Sequence, residues 1–196
     1  MSEFLSLERW LQEVVHPSDG VCRNVDFYNY CKQKHDIALR FNPSLIAEIG
    51  VRLGYSAYAF LTACPQAIYH GYDVWGGGSG GTKIAGADYV APMLARNCKE
   101  ASIELHTADT QRLNSIELRD VDFFHIDGDH TYYGALHDLE IVWPVIRSGG
   151  VMVVDDYDFL IEVRGAVDQF IRSHTESIQS HEYFKTFRGD MTIVKK

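Results

Sequence analysis

The chain has 196 residues, 46% hydrophobic and 23% charged, a balance that suits one globular domain with a core of ordinary size. Its 18 Lys and Arg stand against 27 Asp and Glu, and the only basic doublet is Lys195-Lys196, which argues against nucleic acid as a partner. No stretch reaches membrane-span length, the N-terminus lacks the basic start and apolar core of a signal peptide, and Cys22, Cys31, Cys64 and Cys98 are scattered, so a cytoplasmic protein with reduced, packed thiols is expected.

The first forty residues read as helices. Phe4, Leu5, Leu7, Trp10, Leu11, Val14 and Val15 follow a helical period, and a second helix is predicted through Phe27–Lys34. After Pro43, short apolar runs alternate with helical patterns. The runs are Leu45–Ile49, Ala67–Tyr72, Ser102–His106, Val121–Ile126 and Val151–Val154. Helices are expected at Ser56–Ala63, Ala87–Glu100, Tyr133–Ile146 and Phe159–His174. This alternation predicts an α/β fold with a mostly parallel sheet and helices on both faces. At the end, His181–Phe187, Arg188-Gly189-Asp190 and Met191–Lys195 read as strand, turn and strand, an antiparallel hairpin that brings the sheet to seven strands. One domain is expected over 1–196, with a helical cap over 1–44 and a ligand-binding core over 45–196.

The first strand runs directly into Glu48-Ile49-Gly50-Val51-Arg52-Leu53-Gly54-Tyr55-Ser56, which opens a helix. Gly50 permits a sharp turn, and Gly54 is expected to let backbone approach a ligand. The Glu-x-Gly-x-x-x-Gly spacing is not the Gly-x-Gly-x-x-Gly cradle of a dinucleotide pyrophosphate. An acid such as Glu48 beneath the turn would repel phosphate, but it tolerates the sulfonium cation of S-adenosylmethionine. Asp73 ends the second strand, 19 residues after Gly54, where a carboxylate can accept hydrogen bonds from both ribose hydroxyls. Asp109 and Thr110 follow the third strand, where a side chain meets the adenine edge.

Two further strand ends carry acids. Phe123-Phe124-His125-Ile126-Asp127-Gly128-Asp129-His130 closes the fourth run, and Gly149-Gly150-Val151-Met152-Val153-Val154-Asp155-Asp156 closes the fifth. On adjacent parallel strands, Asp127, Asp155 and Asp156 would converge at the carboxyl edge, where open α/β sheets bind ligands. Three converging carboxylates repel one another unless a cation neutralises them, and oxygen donors of this kind suit Mg²⁺. Strand-end caps are the plain alternative for each acid taken alone. His35, His70, His106, His125 and His181 read as packing or surface histidines.

The order of these motifs resembles the class I methyltransferases. In particular it is similar to the metal-dependent O-methyltransferases that include catechol O-methyltransferases and the macrolide and aminocoumarin sugar O-methyltransferases. The strings that carry the resemblance are AEIGVRLGYSAYAFL, YDVWGGG, HIDGDHTYYGALHDLE and GGVMVVDDYD, and it extends from about residue 45 to the end. It implies a Rossmann-like methyltransferase fold, a metal on Asp127, Asp155 and Asp156, and Glu48, Gly50, Ser56 and Asp73 near the cofactor. Asp127 would serve both ligands. In the sugar-modifying relatives a residue just after the first metal ligand is the base, which points to Asp129 or His130. The expected partner is a small-molecule hydroxyl acceptor, and homo-oligomerisation stays open.

The chemistry expected is transfer of a methyl group from sulfonium to oxygen, with metal favouring the oxyanion and Asp129 or His130 taking the proton. A nicotinamide-dependent oxidoreductase on a similar sheet, a non-catalytic S-adenosylmethionine-binding module, and a methyltransferase whose aspartates bind no metal are the rival readings. The run Gly76-Gly77-Gly78-Ser79-Gly80-Gly81 reads either as a lid over the substrate or as an uncommitted connection.

Overall fold

A computed structural model describes residues 4–76 and 86–196. Most of the glycine-rich run read as a lid, from Gly77 to Gly81, lies outside the described residues. Two helices, α1 (Leu7–Glu13) and α2 (Val25–Phe41), precede β1 (Leu45–Ile49), α3 (Tyr55–Ala63), β2 (Ile68–Asp73), α4 (Ala87–Asn97) and β3 (Ser102–Thr107). Then come β4 (Val121–Ile126), α5 (Tyr132–Val142), β5 (Ile146–Val154), α6 (Ile161–Ser173), β6 (Ile178–Phe184) and β7 (Asp190–Lys195). The seven strands form one sheet in the order β3-β2-β1-β4-β5-β7-β6. Strands β1 to β5 are parallel, and β7 runs antiparallel to both β5 and β6. This is the predicted mostly parallel Rossmann-like sheet with its C-terminal hairpin.

Burial follows position in the sheet. Phe123, Phe124, Val151, Met152 and Val153 on the central strands β4 and β5 are fully buried, because helices cover both faces there. One face packs with α1 to α4 through Trp10, Tyr58, Phe60 and Leu94. The other packs with α5 and α6 through Leu139, Val142, Val163 and Phe170. The edge strands are wetter: β3 alternates exposed and half-buried positions, and the middle of β6 is exposed.

Several boundaries differ from expectation for local reasons. Helix α2 begins earlier because the Asn24 side chain accepts the Phe27 amide at 2.9 Å, and it ends where Asn42 adopts a left-handed φ of 46°. Helix α5 stops at Val142 rather than Ile146, since Pro144 cannot donate a helical hydrogen bond and the chain tightens into a 3-10 turn over Trp143–Val145. All four cysteines are free and buried, as read. No described helix is long and apolar enough to cross a membrane.

Trp10, Val14 and Val15 join the same apolar core as α3, so α1 is fastened to the sheet's covering layer by side-chain burial. Trp10 is fully buried, with its ring against Phe27, Tyr28 and Tyr55. Trp10→Ala is therefore expected to cost about 3–5 kcal/mol of global stability, read as a shifted urea midpoint for a single cooperative transition. A separate early melting of the N-terminal helices, with the remainder unchanged, would contradict that shared core.

Candidate active site

The sheet order reverses between β1 and β4. A cleft of about 690 Å³ opens there, lined by residues that follow β1, β2, β3, β4 and β5 together with Phe27, Tyr30 and Arg188. Among the acids and small residues singled out above, Gly50, Ser56, Asp73, Asp109, Thr110, Asp127, Asp129, His130 and Asp156 line it. Glu48, Gly54 and Asp155 do not.

Gly50 has φ of 87°, and a Cβ there would collide with the carbonyl oxygen of Asp127. The turn after β1 is thus pressed onto the turn after β4, with the Asp127 amide donating to Ile49 O at 2.9 Å and the Gly50 amide to Tyr72 O at 2.9 Å. Gly54 has φ of 75°, and an added Cβ would lie 2.8 Å from Val90 Cγ1, so the glycine sits where α3 packs on α4 and is not among the residues lining the cleft. Asp73 accepts the amides of Arg52 at 2.7 Å and Trp75 at 2.6 Å, which fix its carboxylate at the cleft wall. Asp109 caps the short 3-10 turn Thr110–Arg112 by accepting the Gln111 amide.

Glu48 lies wholly buried beneath the turn. Ser56 Oγ and the Tyr69 hydroxyl both donate to its carboxylate, and His125 Nδ1 lies 2.9 Å away. Its reach to the cleft runs through Ser56. The other ring nitrogen of His125 sits 3.1 Å from Lys34 Nζ, so a buried polar chain passes beneath the cleft floor.

Lys34 changes the reading of the aspartates. Its ammonium is fully buried, forms an ion pair with Asp190 and lies 3.2 Å from Asp155. The Tyr30 hydroxyl donates to that same Asp155 oxygen, and the other Asp155 oxygen accepts the Asp156 amide at 2.7 Å. Burial alone would raise the Asp155 carboxyl, but Lys34, His125 and the Tyr30 hydroxyl outweigh it and hold it at about 2. Lys34 itself is raised: desolvation opposes its charge, and Asp155 and Asp190 overcome that. Both Asp155 oxygens thus have protein partners, and its carboxylate stands with His125 and Asp190 while remaining close enough to Asp127 and Asp156 to raise them both.

Asp127, His130 and Asp156 converge, with ligand atoms all within 4.8 Å of one another. His130 Nε2 is 3.0 Å from Asp127 Oδ1 and 3.6 Å from Asp156 Oδ2. Asp156 has a left-handed φ of 58° and receives Arg188 Nη1 at 3.2 and 3.3 Å. Burial, with Asp155 and Asp127 nearby, pushes the Asp156 carboxyl up to about 6. Asp127 is raised by burial and by Asp155. The bond to Asp127 raises His130 above an ordinary imidazole. Asp129 accepts the Thr131 amide at 2.8 Å at the start of α5.

Sequence reasoning passed over Tyr30, Lys34, Arg188 and Asp138. Lys34 carried a signal: Tyr30, Lys34, Ile37 and Ala38 recur at helical spacing on the buried face of α2, so a lysine occupies a core position. Asp138 receives Gln111 Nε2 at 2.9 Å, and burial raises its carboxyl to about 6. Arg188 had no local signal, since the hairpin alone brings it to Asp156.

The sheet order and the site at its switch point are those of the class I, S-adenosylmethionine-dependent methyltransferases. A family model described as a methyltransferase domain matches residues 47–157, more than half of the chain, and the chain belongs to that family. No curated protein matches the sequence. Among solved structures, a methyltransferase from Geobacter sulfurreducens superposes with a TM-score of 0.68 at 13% identity, covering 100% of this chain and 93% of that one. The Podospora anserina methyltransferase PaMTH1, solved with SAH, gives 0.64 at 15% identity over 97% and 87% of the two chains. The O-methyltransferase TomG of Streptomyces achromogenes, involved in tomaymycin synthesis and solved with SAM, gives 0.60 at 16% over 85% and 79%.

Removing Lys34 should strand the acids it holds. Lys34→Met is expected to destabilise the fold by about 3–5 kcal/mol at neutral pH, as for a broken buried pair. A depressed carboxyl stabilises the fold above its unfolded pKa and loses that contribution as pH falls through its folded one. The gap between wild type and variant in urea unfolding should therefore be widest at neutral pH and narrow as pH falls toward about 2. A gap independent of pH would assign Lys34 a packing role only.

Proposed function

We propose that the chain transfers a methyl group from S-adenosylmethionine to a hydroxyl oxygen of a small molecule. The observation that carries this is one cleft with two chemically different ends. At one end Asp73, its carboxylate fixed by two amides, stands beside Asp109 and Thr110; at the other, His130 contacts Asp127. The first end suits an adenosyl group: Asp73 accepts the ribose hydroxyls, and Asp109, Thr110 and Gln111 flank the base. Gly50 and Ser56 then border the methionine portion, with Glu48 acting on it through Ser56. PaMTH1 with SAH and TomG with SAM support this cofactor on the same fold. The volume lies within the roughly 300–1,000 Å³ usual for small-molecule sites.

The acceptor lies at the second end, bounded by Tyr30, Phe159, Leu160 and Arg188. Its oxygen attacks the methyl carbon, the carbon–sulfur bond breaks with its electron pair going to sulfur, and the hydroxyl proton must leave. Neutral His130, with its hydrogen on Nε2 toward Asp127, offers the Nδ1 lone pair for that proton, and Asp127 steadies the imidazolium formed. The residues present fit a divalent cation on Asp127 and Asp156, with His130 as a third donor, since two raised carboxyls are relieved by positive charge. Bound there, such a cation supplies Lewis acidity that favours the oxyanion. His130 is then occupied, and Asp129 becomes the proton acceptor. In either state the small, acidic chain takes a hydroxyl-bearing metabolite rather than a nucleic acid.

Binding and turnover separate the two ends. Asp73→Ala should lose most S-adenosylhomocysteine affinity in calorimetry while remaining folded, and unaltered affinity would remove Asp73 from the ribose role. His130→Ala should retain that affinity and lose about 10²–10⁴-fold in rate with an accepted hydroxyl substrate, the loss shrinking as pH rises. Full activity there, with Asp129→Asn inactive, would make Asp129 the base.

The cation is tested by comparing two neighbours. Asp156→Asn should weaken Mg²⁺ binding, whereas Asp155→Asn should chiefly lower stability by stranding Lys34. Equal turnover in excess EDTA, with no metal bound, would return Asp127 and Asp156 to the role of orienting His130.

A further inference from the structure

Away from the cleft, a second group of potential ligands stands on the face of β2 and β3. His70 and Glu104 are directly paired across the two strands, and His106 lies two residues along from Glu104, opposite Tyr72. Side chains alternate along a strand, so all three residues share one face. His70 Nδ1 is 3.2 Å from His106 Nε2 and 3.6 Å from Glu104 Oε2, and all three ligand atoms lie within 4.8 Å of one another.

We propose that His70, Glu104 and His106 form a site for a borderline transition-metal ion of the Zn²⁺ class. In a tetrahedral site with Zn–N near 2.0–2.1 Å, neighbouring ligand atoms stand about 3.3–3.4 Å apart. The two distances around His70 Nδ1 bracket that value. His70 Nδ1 faces both an imidazole nitrogen and a carboxylate oxygen, and its single hydrogen can satisfy only one of them. A cation satisfies all three atoms together. Two imidazoles and one carboxylate select Zn²⁺, Ni²⁺ or Cu²⁺ over Mg²⁺ or Ca²⁺, which prefer oxygen throughout. His70 is mostly buried while the Glu104 side chain is 59% exposed, which leaves a fourth position open to water and a route of entry.

The site has a consequence for the edge of the sheet. β3 is an edge strand whose one neighbour in the described sheet is β2, and a metal shared between them would staple the pair together. The His106 ring also stacks on Tyr72, with centroids 4.6 Å apart, and Tyr72 lines the cleft beside Asp73. Metal at His106 therefore fixes a ring that supports the adenosyl end.

The test uses Zn²⁺ alone with the full chain, in a His130→Ala background that removes the imidazole from the cleft cluster. That protein should bind one equivalent of Zn²⁺ by calorimetry and metal analysis. His70→Ala added to it should abolish the binding. The exposed change Glu104→Gln, which keeps the fold even if His70→Ala does not, should weaken it by about tenfold or more through loss of the anionic ligand. The ring protons of His70 and His106 should shift on Zn²⁺ addition. No binding at roughly 100 µM Zn²⁺ would overturn the site, as would binding unchanged by both substitutions. These readouts do not involve methyl transfer, so they stand or fall independently of the proposed reaction.

Discussion

The buried ion pairing of Lys34 with Asp155 and Asp190 is the constraint on which the active end of this molecule depends. Parallel strands that end side by side bring their terminal acids together, and low-dielectric surroundings magnify the repulsion among them. An ammonium delivered from α2 balances that charge from below, inside the protein. The same lysine meets His125, which meets Glu48, which holds Ser56 at the cleft wall. The two ends of the cleft are thus joined by one buried polar chain.

This arrangement places two adjacent aspartates in different environments. Asp155 faces inward beside Lys34 and is held strongly ionised. Asp156, in a left-handed conformation, faces the cleft and is raised toward neutrality. The contrast shows how environment separates identical side chains, since each carboxylate follows whichever of burial and opposite charge is stronger at its position. Arg188 and His130 meet Asp156 from the cleft and are part-exposed, while Lys34 is fully buried in the core.

The glycines show a similar division. Gly50 is required by the collision its side chain would make with the backbone after β4, which ties two strand ends into one turn. Gly54 has the same left-handed backbone but serves helix packing, as the third glycine does in dinucleotide-binding turns. Only the neighbours of the absent Cβ tell them apart.

The amino-acid sequence alone determined the alternation of strands and helices, the C-terminal hairpin, the turn at Gly50 and the acids that end β2, β4 and β5. These are legible because they rest on local chemistry: side-chain period, backbone freedom at glycine, and acids at the ends of apolar runs. The tertiary structure decided which acids meet one another. Asp155 was grouped with Asp127 and Asp156 because all three follow apolar runs, and its partner Lys34 lies 121 positions earlier in the chain, on a helix that looked unremarkable. His70 and His106 read as unrelated packing residues until strand register set them 3.2 Å apart. Charge balance and metal-ligand geometry depend on distances in space, and a sequence records only distances along the chain.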